Sequence, residues 1–129
     1  FLSFCPMIRI SALTGRGVEK VPGIVKRLMK ERCKRVPTGE LNRIFDHKIR
    51  EFPHPQRGGR SRIKFYYITQ VDVAPPQFVL FSNLDPKDVH FSFKRHVVNT
   101  LRDAFSYKGT PVELRLKKRF NSADKRNFR

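Results

Sequence analysis

Hydrophobic positions along the chain recur with two periods, and the switches between them set out its elements. Val18, Val21, Ile24, Val25, Leu28 and Met29 fall every three or four positions, with Glu19, Lys20, Lys26, Arg27, Lys30 and Arg32 between them. That is the spacing of an amphipathic helix. Pro22 fits only its first turn, and Lys34, Arg35 and Pro37 close it with cations at the negative end of the dipole and a proline stop. A second helix is expected from Thr38 as N-cap, with Leu41, Ile44, Phe45, Ile49 and Phe52 as its stripe and Pro53 and Pro55 beyond its end. Residues 63–73 are rich in aromatic and β-branched side chains, Ala74, Pro75 and Pro76 turn the chain, and Phe78, Val79, Leu80 and Phe81 form a continuous apolar run, together a hairpin. Ser92 is expected to cap a third helix whose face is Phe93, Val97, Leu101, Ala104 and Phe105. Val112, Leu114 and Leu116 then alternate with Glu113, Arg115 and Lys117, a last strand with one dry and one charged face.

The two ends read differently. Residues 1–8 are apolar and are expected to form a buried strand, with its end near residues 7–12 and a turn at Thr14, Gly15, Arg16 and Gly17. From residue 118 onward the pattern is lost, and disorder is expected there unless a partner holds it. The unit from 38 to 117 is therefore helix, strand, strand, helix, strand: an α+β layer with helices on one sheet face.

Length limits the chain to one domain, or one small domain and a fragment of another, since 129 residues are too few for a multi-domain enzyme. Lys and Arg number 28 against 11 acids, a net charge of +17 that suits a polyanionic partner, nucleic acid first of all. With 39% hydrophobic residues and 12 Phe the chain can still bury a core, so the cations decorate a folded body. Cys5 and Cys33 have no neighbours at metal-ligand spacing and suggest a reducing compartment rather than zinc or a disulfide framework. No stretch approaches the roughly 18 apolar residues of a membrane helix. A chain that opens on Phe rather than Met is expected to be a piece of something longer.

Candidate chemistry is mostly electrostatic. The glycines, at 15, 17, 23, 39, 58, 59 and 109, form neither a phosphate loop, a dinucleotide fingerprint nor the G-x-x-G clamp of nucleic-acid-binding KH domains. His47, His54, His90 and His96 are scattered and read as structural or surface residues. What remains is three cationic clusters, around residues 26–35, 57–64 and 115–119, suited to phosphate contacts that give affinity without sequence readout. The RNA-binding candidates drawn from them are Lys34, Arg35, Arg57, Arg60, Arg62, Lys64, Lys117, Lys118 and Arg119. Tyr66 and Tyr67 could stack on bases, although strand alternation is expected to turn one of them into the core.

A family resemblance emerges from longer stretches. Residues 10–18, Ile10-Ser11-Ala12-Leu13-Thr14-Gly15-Arg16-Gly17-Val18, look like the fifth guanine-nucleotide motif of a translation-factor-type GTPase domain, followed by that domain's last helix. Then come Thr38-Gly39-Glu40-Leu41-Asn42-Arg43, Lys64-Phe65-Tyr66-Tyr67-Ile68-Thr69-Gln70, Pro75-Pro76-Gln77-Phe78-Val79-Leu80-Phe81-Ser82-Asn83, Leu101-Arg102-Asp103-Ala104-Phe105 and Gly109-Thr110-Pro111-Val112. Over about residues 8–118 this ordered series resembles the C-terminal region of the EngA/Der family, ribosome-assembly GTPases with two tandem G domains.

The resemblance implies a KH-like domain at 37–118 with a mixed three-stranded sheet and helices on one face. It makes 1–36 the C-terminal strand, guanine-contact loop and last helix of a truncated G domain, and 119–129 a basic tail. Ser11, Ala12 and Leu13 would touch guanine only with the rest of that G domain present. GTP or GDP with Mg is implied for the parent, and no cofactor, metal or catalytic residue for this fragment, which lacks the phosphate loop, the switch motifs and N-K-x-D and is not expected to be an enzyme. Implied partners are rRNA, the large ribosomal subunit and the parent's own G domains, for a monomer away from membranes in a bacterial cytoplasm or an organelle. The alternatives are a self-standing basic ribosomal or organellar RNA-binding protein that shares the fold, or a purely regulatory interdomain scaffold.

Overall fold

The computed structural model describes residues 4–49 and 64–119. Helix α1 (Val21–Arg32) is preceded by a 3-10 turn, Val18–Lys20, and carries Pro22 in its first turn as the sequence requires. Gly17 turns the chain into this segment at φ 85°, and a Cβ there would approach Arg9 O to 2.6 Å, so only glycine fits. Helix α2 (Thr38–Ile44) starts straight after Pro37, which occupies the cap position with no side-chain bond; Thr38 is the first helical residue rather than the cap. A π-helical turn, Phe45–Ile49, continues it. Phe52, Pro53 and Pro55 lie outside the described residues.

Strands β1 (Phe65–Val73) and β2 (Pro76–Ser82) form the expected antiparallel hairpin, with a cis Ala74–Pro75 peptide in the turn. Helix α3 (Phe91–Phe105) is the crossover that lets β3 (Glu113–Lys118) lie parallel to β2. The sheet order is β1-β2-β3, mixed as expected. Leu41 and Phe45 from the α2 segment and Phe93, Val97, Leu101 and Phe105 from α3 pack with Ile68, Phe78, Leu80 and Leu116 of the sheet in one core. The α3 stripe is thus the one its periodicity indicates. Its cap is not: the His90 ring, rather than Ser92, accepts a bond, from Ser92 N at 3.2 Å.

Two expectations fail in instructive ways. Residues 4–12 form no strand, and Met7 is 89% exposed. A strand needs a neighbour to satisfy its backbone, and all three strands of the described sheet come from residues 65–118. Likewise no residue of α1 is buried, and Val25 and Met29 of its apolar stripe are exposed. The segment is attached by a few specific bonds instead. Gly109 N donates to Phe4 O at 2.8 Å, Arg32 to Ala74 O at 3.0 Å, and the Arg102 guanidinium lies 4.2 Å over the Phe4 ring. Gly109, at φ 71°, sits so close to Leu28 of α1 that any side chain would collide.

The second failure is at the tyrosines. A register shift between Phe65 and Tyr67 inserts one extra residue in β1. Phe65 and Ile68 both reach the core, and the two residues between them, Tyr66 and Tyr67, are half-buried outside it. Neither tyrosine is a core residue.

Candidate nucleic-acid interface

Strand pairing gathers cations that are far apart in sequence. Lys64 sits at the start of β1, where its N donates to Asn83 Oδ1 at 2.8 Å and its carbonyl accepts from Asn83 N at 3.1 Å. Lys117 and Lys118 end β3 beside Phe81 and Ser82, and Arg119 N donates to Ser82 O at 2.8 Å. One end of the sheet therefore carries Lys64, Lys117, Lys118 and Arg119, all exposed. Arg119 is further placed by two rings: its guanidinium is 5.8 Å from the centroids of both Tyr66 and Tyr67.

Lys34 and Arg35 are held away from that end. Gln70 fixes the linker at residues 34–36, accepting from Val36 N at 2.8 Å and donating to Lys34 O at 3.0 Å. The Lys34 ammonium donates to Phe105 O at 2.9 Å, where it opposes the negative end of α3. Lys34 thus has a structural task that charge alone did not reveal, while Arg35 is exposed. Arg57, Arg60 and Arg62 lie outside the described residues.

The loop at 11–14 is a tight turn, with Ser11 Oγ accepting from Thr14 N at 3.3 Å and Ser11 N donating to Arg16 O at 3.0 Å. It leaves Ala12 and Leu13 exposed. The side chains of Ser11, Ala12 and Leu13 carry no charge and cannot by themselves hold the phosphates or Mg of a guanine nucleotide. Among the described residues no group of three His, Cys, Asp or Glu could hold a metal, and no helix is long and apolar enough to cross a membrane.

A cavity of about 770 Å³ lies where the N-terminal segment meets α3, lined among others by Phe4, Leu28, Glu31, Arg102 and Tyr107. Burial lowers the Arg102 pKa. Tyr107 is pushed up to about 12, first by burial and then by Glu31. Its hydroxyl and Glu31 Oε2 are buried without a hydrogen-bond partner among the described residues.

Comparison with known proteins decides what this body is. Residues 35–117 match the model of the KH-domain-like unit at the C-terminus of EngA bacterial GTPase enzymes. The chain belongs to this family. Among the EngA relatives, the "GTPase Der" of Citrifermentans bemidjiense is 46% identical over 114 residues, covering 88% of this chain and 26% of that protein. The "GTPase Der" of Thermomicrobium roseum is 43% identical over 123 residues, 95% of this chain and 26% of the relative. The chain thus spans about a quarter of the length of the EngA relatives it matches. The matched KH-like unit contains Arg35, Lys64 and Lys117, and Ser11, Ala12 and Leu13 lie before it.

Proposed function

We propose that the chain is the C-terminal KH-like module of a ribosome-assembly GTPase, binding rRNA of the large ribosomal subunit through its cations and packing against the parent's G domains. The carrying observation is the family match over residues 35–117, on a body whose sheet gathers cations from the start of β1 and the end of β3. Phosphate neutralisation by such groups supplies affinity that depends on charge rather than base identity. The exposed apolar residues Met7, Ile10, Leu13, Val25 and Met29 support the second half of the reading. Exposed large apolar side chains in this number call for a cover, and the remaining three-quarters of the relatives' length is where one would come from.

In this reading GTP hydrolysis belongs to the G domains of the longer protein, with GTP or GDP and Mg held there, in the cytoplasm of a bacterium. The chain's own part is to bind and orient. The test is equilibrium binding to large-subunit rRNA across a salt series, wild type against Arg35→Glu, Arg60→Glu, Arg62→Glu. Lys34 is left intact because of its bond to Phe105. Tight binding whose steep salt slope flattens in the variant is expected. Weak binding unaffected by the reversals would leave packing against the G domains as the module's whole role.

A further inference from the structure

The helices of the core pack on one side of the sheet, against Ile68, Phe78, Leu80 and Leu116. Strand register sets the residues of the opposite side in rows. Tyr67, Phe81 and Lys117 are neighbours across the three strands, as are Thr69, Val79 and Arg115. The Tyr67 and Phe81 rings stack, with centroids 4.5 Å apart and planes 20° apart. Arg119 continues the β3 alternation and reaches across the end of β2 to Tyr66 and Tyr67. Glu113 is the acid on this side of β3, and it faces Arg115 at 3.7 Å.

We propose that this face binds unpaired nucleotides of RNA, a base stacking on the Tyr67–Phe81 pair while Arg115, Lys117 and Arg119 take the flanking phosphates. The proposal rests on the rRNA-binding reading above and gives it a place and a ligand conformation. Arg115, Lys117 and Arg119 alternate on one side of β3, so their Cα atoms are about 6.6 Å apart, a step comparable with that between successive phosphates of an extended strand. Stacked aromatic rings beside such a row form a platform for bases, and a base offers its face only where it is not paired within a helix. A protein partner would call for a broad apolar patch, whereas Val79 at the middle of this one is already buried and Arg115, Lys117 and Arg119 run along the strand at its side. The bulge at Tyr66 is what makes the platform, because it releases both tyrosines from the core.

The chain has three Tyr and no Trp, so its own tyrosine emission reports stacking. The experiment titrates the protein with a single-stranded RNA oligonucleotide, a duplex of the same length, and large-subunit rRNA. Expected results are tighter binding of the single strand than of the duplex, with quenched tyrosine emission. Tyr67→Leu should weaken single-strand binding about five- to a hundredfold with the salt slope unchanged, and Tyr67→Phe should retain it. Lys117→Gln, at an exposed position, should fold normally and lower the salt slope by about 0.7. Wild-type binding to rRNA with Tyr67→Leu and Lys117→Gln both unaltered, or with the duplex preferred, would overturn the proposal and leave the rRNA reading standing. Failure of the wild type to bind any of the three RNAs would overturn both.

Discussion

The side-chain amide of Gln70 is bonded to the backbone of Val36, accepting from its N at 2.8 Å, and this joins the middle of a strand to the linker that follows α1. Gln70 is buried, and its Nε2 also donates to Lys34 O and Asp72 O. Replacement by Leu leaves a buried N–H of Val36 and the Lys34 carbonyl without partners, at a cost of about 1–3 kcal/mol. The expected outcome for Gln70→Leu is a lower urea midpoint together with faster amide exchange throughout α1. A loss of stability with α1 exchange unchanged would show that the linker is held by other contacts.

Asn42 does the corresponding work at the outer edge of β1. Its amide donates to Ile68 O at 3.0 Å and its oxygen accepts from Ile68 N at 2.9 Å, so it pairs with the edge as a further strand would. An edge left bare invites pairing with another chain. Asn42→Asp keeps the acceptor but sets a carboxylate against the Ile68 carbonyl, and is expected to cost about 2 kcal/mol and to promote self-association on heating. Equilibrium unfolding and light scattering check the two effects.

The elements set by local periodicity are legible in the sequence alone. The α3 stripe, the apolar β2 run and the β3 alternation each bury the face their spacing indicates, because residues three or two apart share a face whatever surrounds them. The features that depend on distant partners are not. Gln70 and Asn42 are polar residues whose partners lie 36 and 26 positions away, and nothing local marks either as buried or edge-pairing. The β1 bulge changes which way Tyr66 and Tyr67 point without changing composition. Charge marks the cations as candidates but not where they meet. Lys64 and Arg119 come together only through the ladder, and Lys34 is drawn to a helix end. The apolar residues near Met7 read as a buried strand since hydrophobicity reports a need for cover, not its source.

Both ends of α3 are capped by residues that better choices could replace. The His90 ring accepts from Ser92 N, and Ser106 ends the helix at φ 55°, a left-handed conformation that glycine adopts without strain. His90→Ala is expected to lower stability by about 1 kcal/mol, while His90→Asp holds or raises it, since a carboxylate caps well at the positive end of a helix. Ser106→Gly is expected to add about 0.5–1 kcal/mol. Thermal unfolding of the three variants tests this, and a stabilising His90→Ala would show that the ring bond contributes nothing.

Tyr107 makes stability depend on pH at the alkaline end. Its pKa is pushed up from 10.0 to about 12 because burial disfavours the phenolate and the Glu31 carboxylate repels it. The folded state therefore holds a proton that the unfolded chain releases sooner. The stability from keeping the ring neutral is complete below pH 10 and is lost as pH rises from there through 12, by at most about 3 kcal/mol in all. Tyr107→Phe removes both the titration and a buried hydroxyl with no hydrogen-bond partner among the described residues. At neutral pH that variant is expected to match the wild type or exceed it by up to about 1 kcal/mol, and above pH 10 its advantage should grow. The difference in tyrosinate absorbance between the two proteins isolates the Tyr107 titration, and Glu31→Gln should shift it to lower pH. An advantage that stays constant from neutral to alkaline pH would show that the ring titrates alike in the folded and unfolded chain.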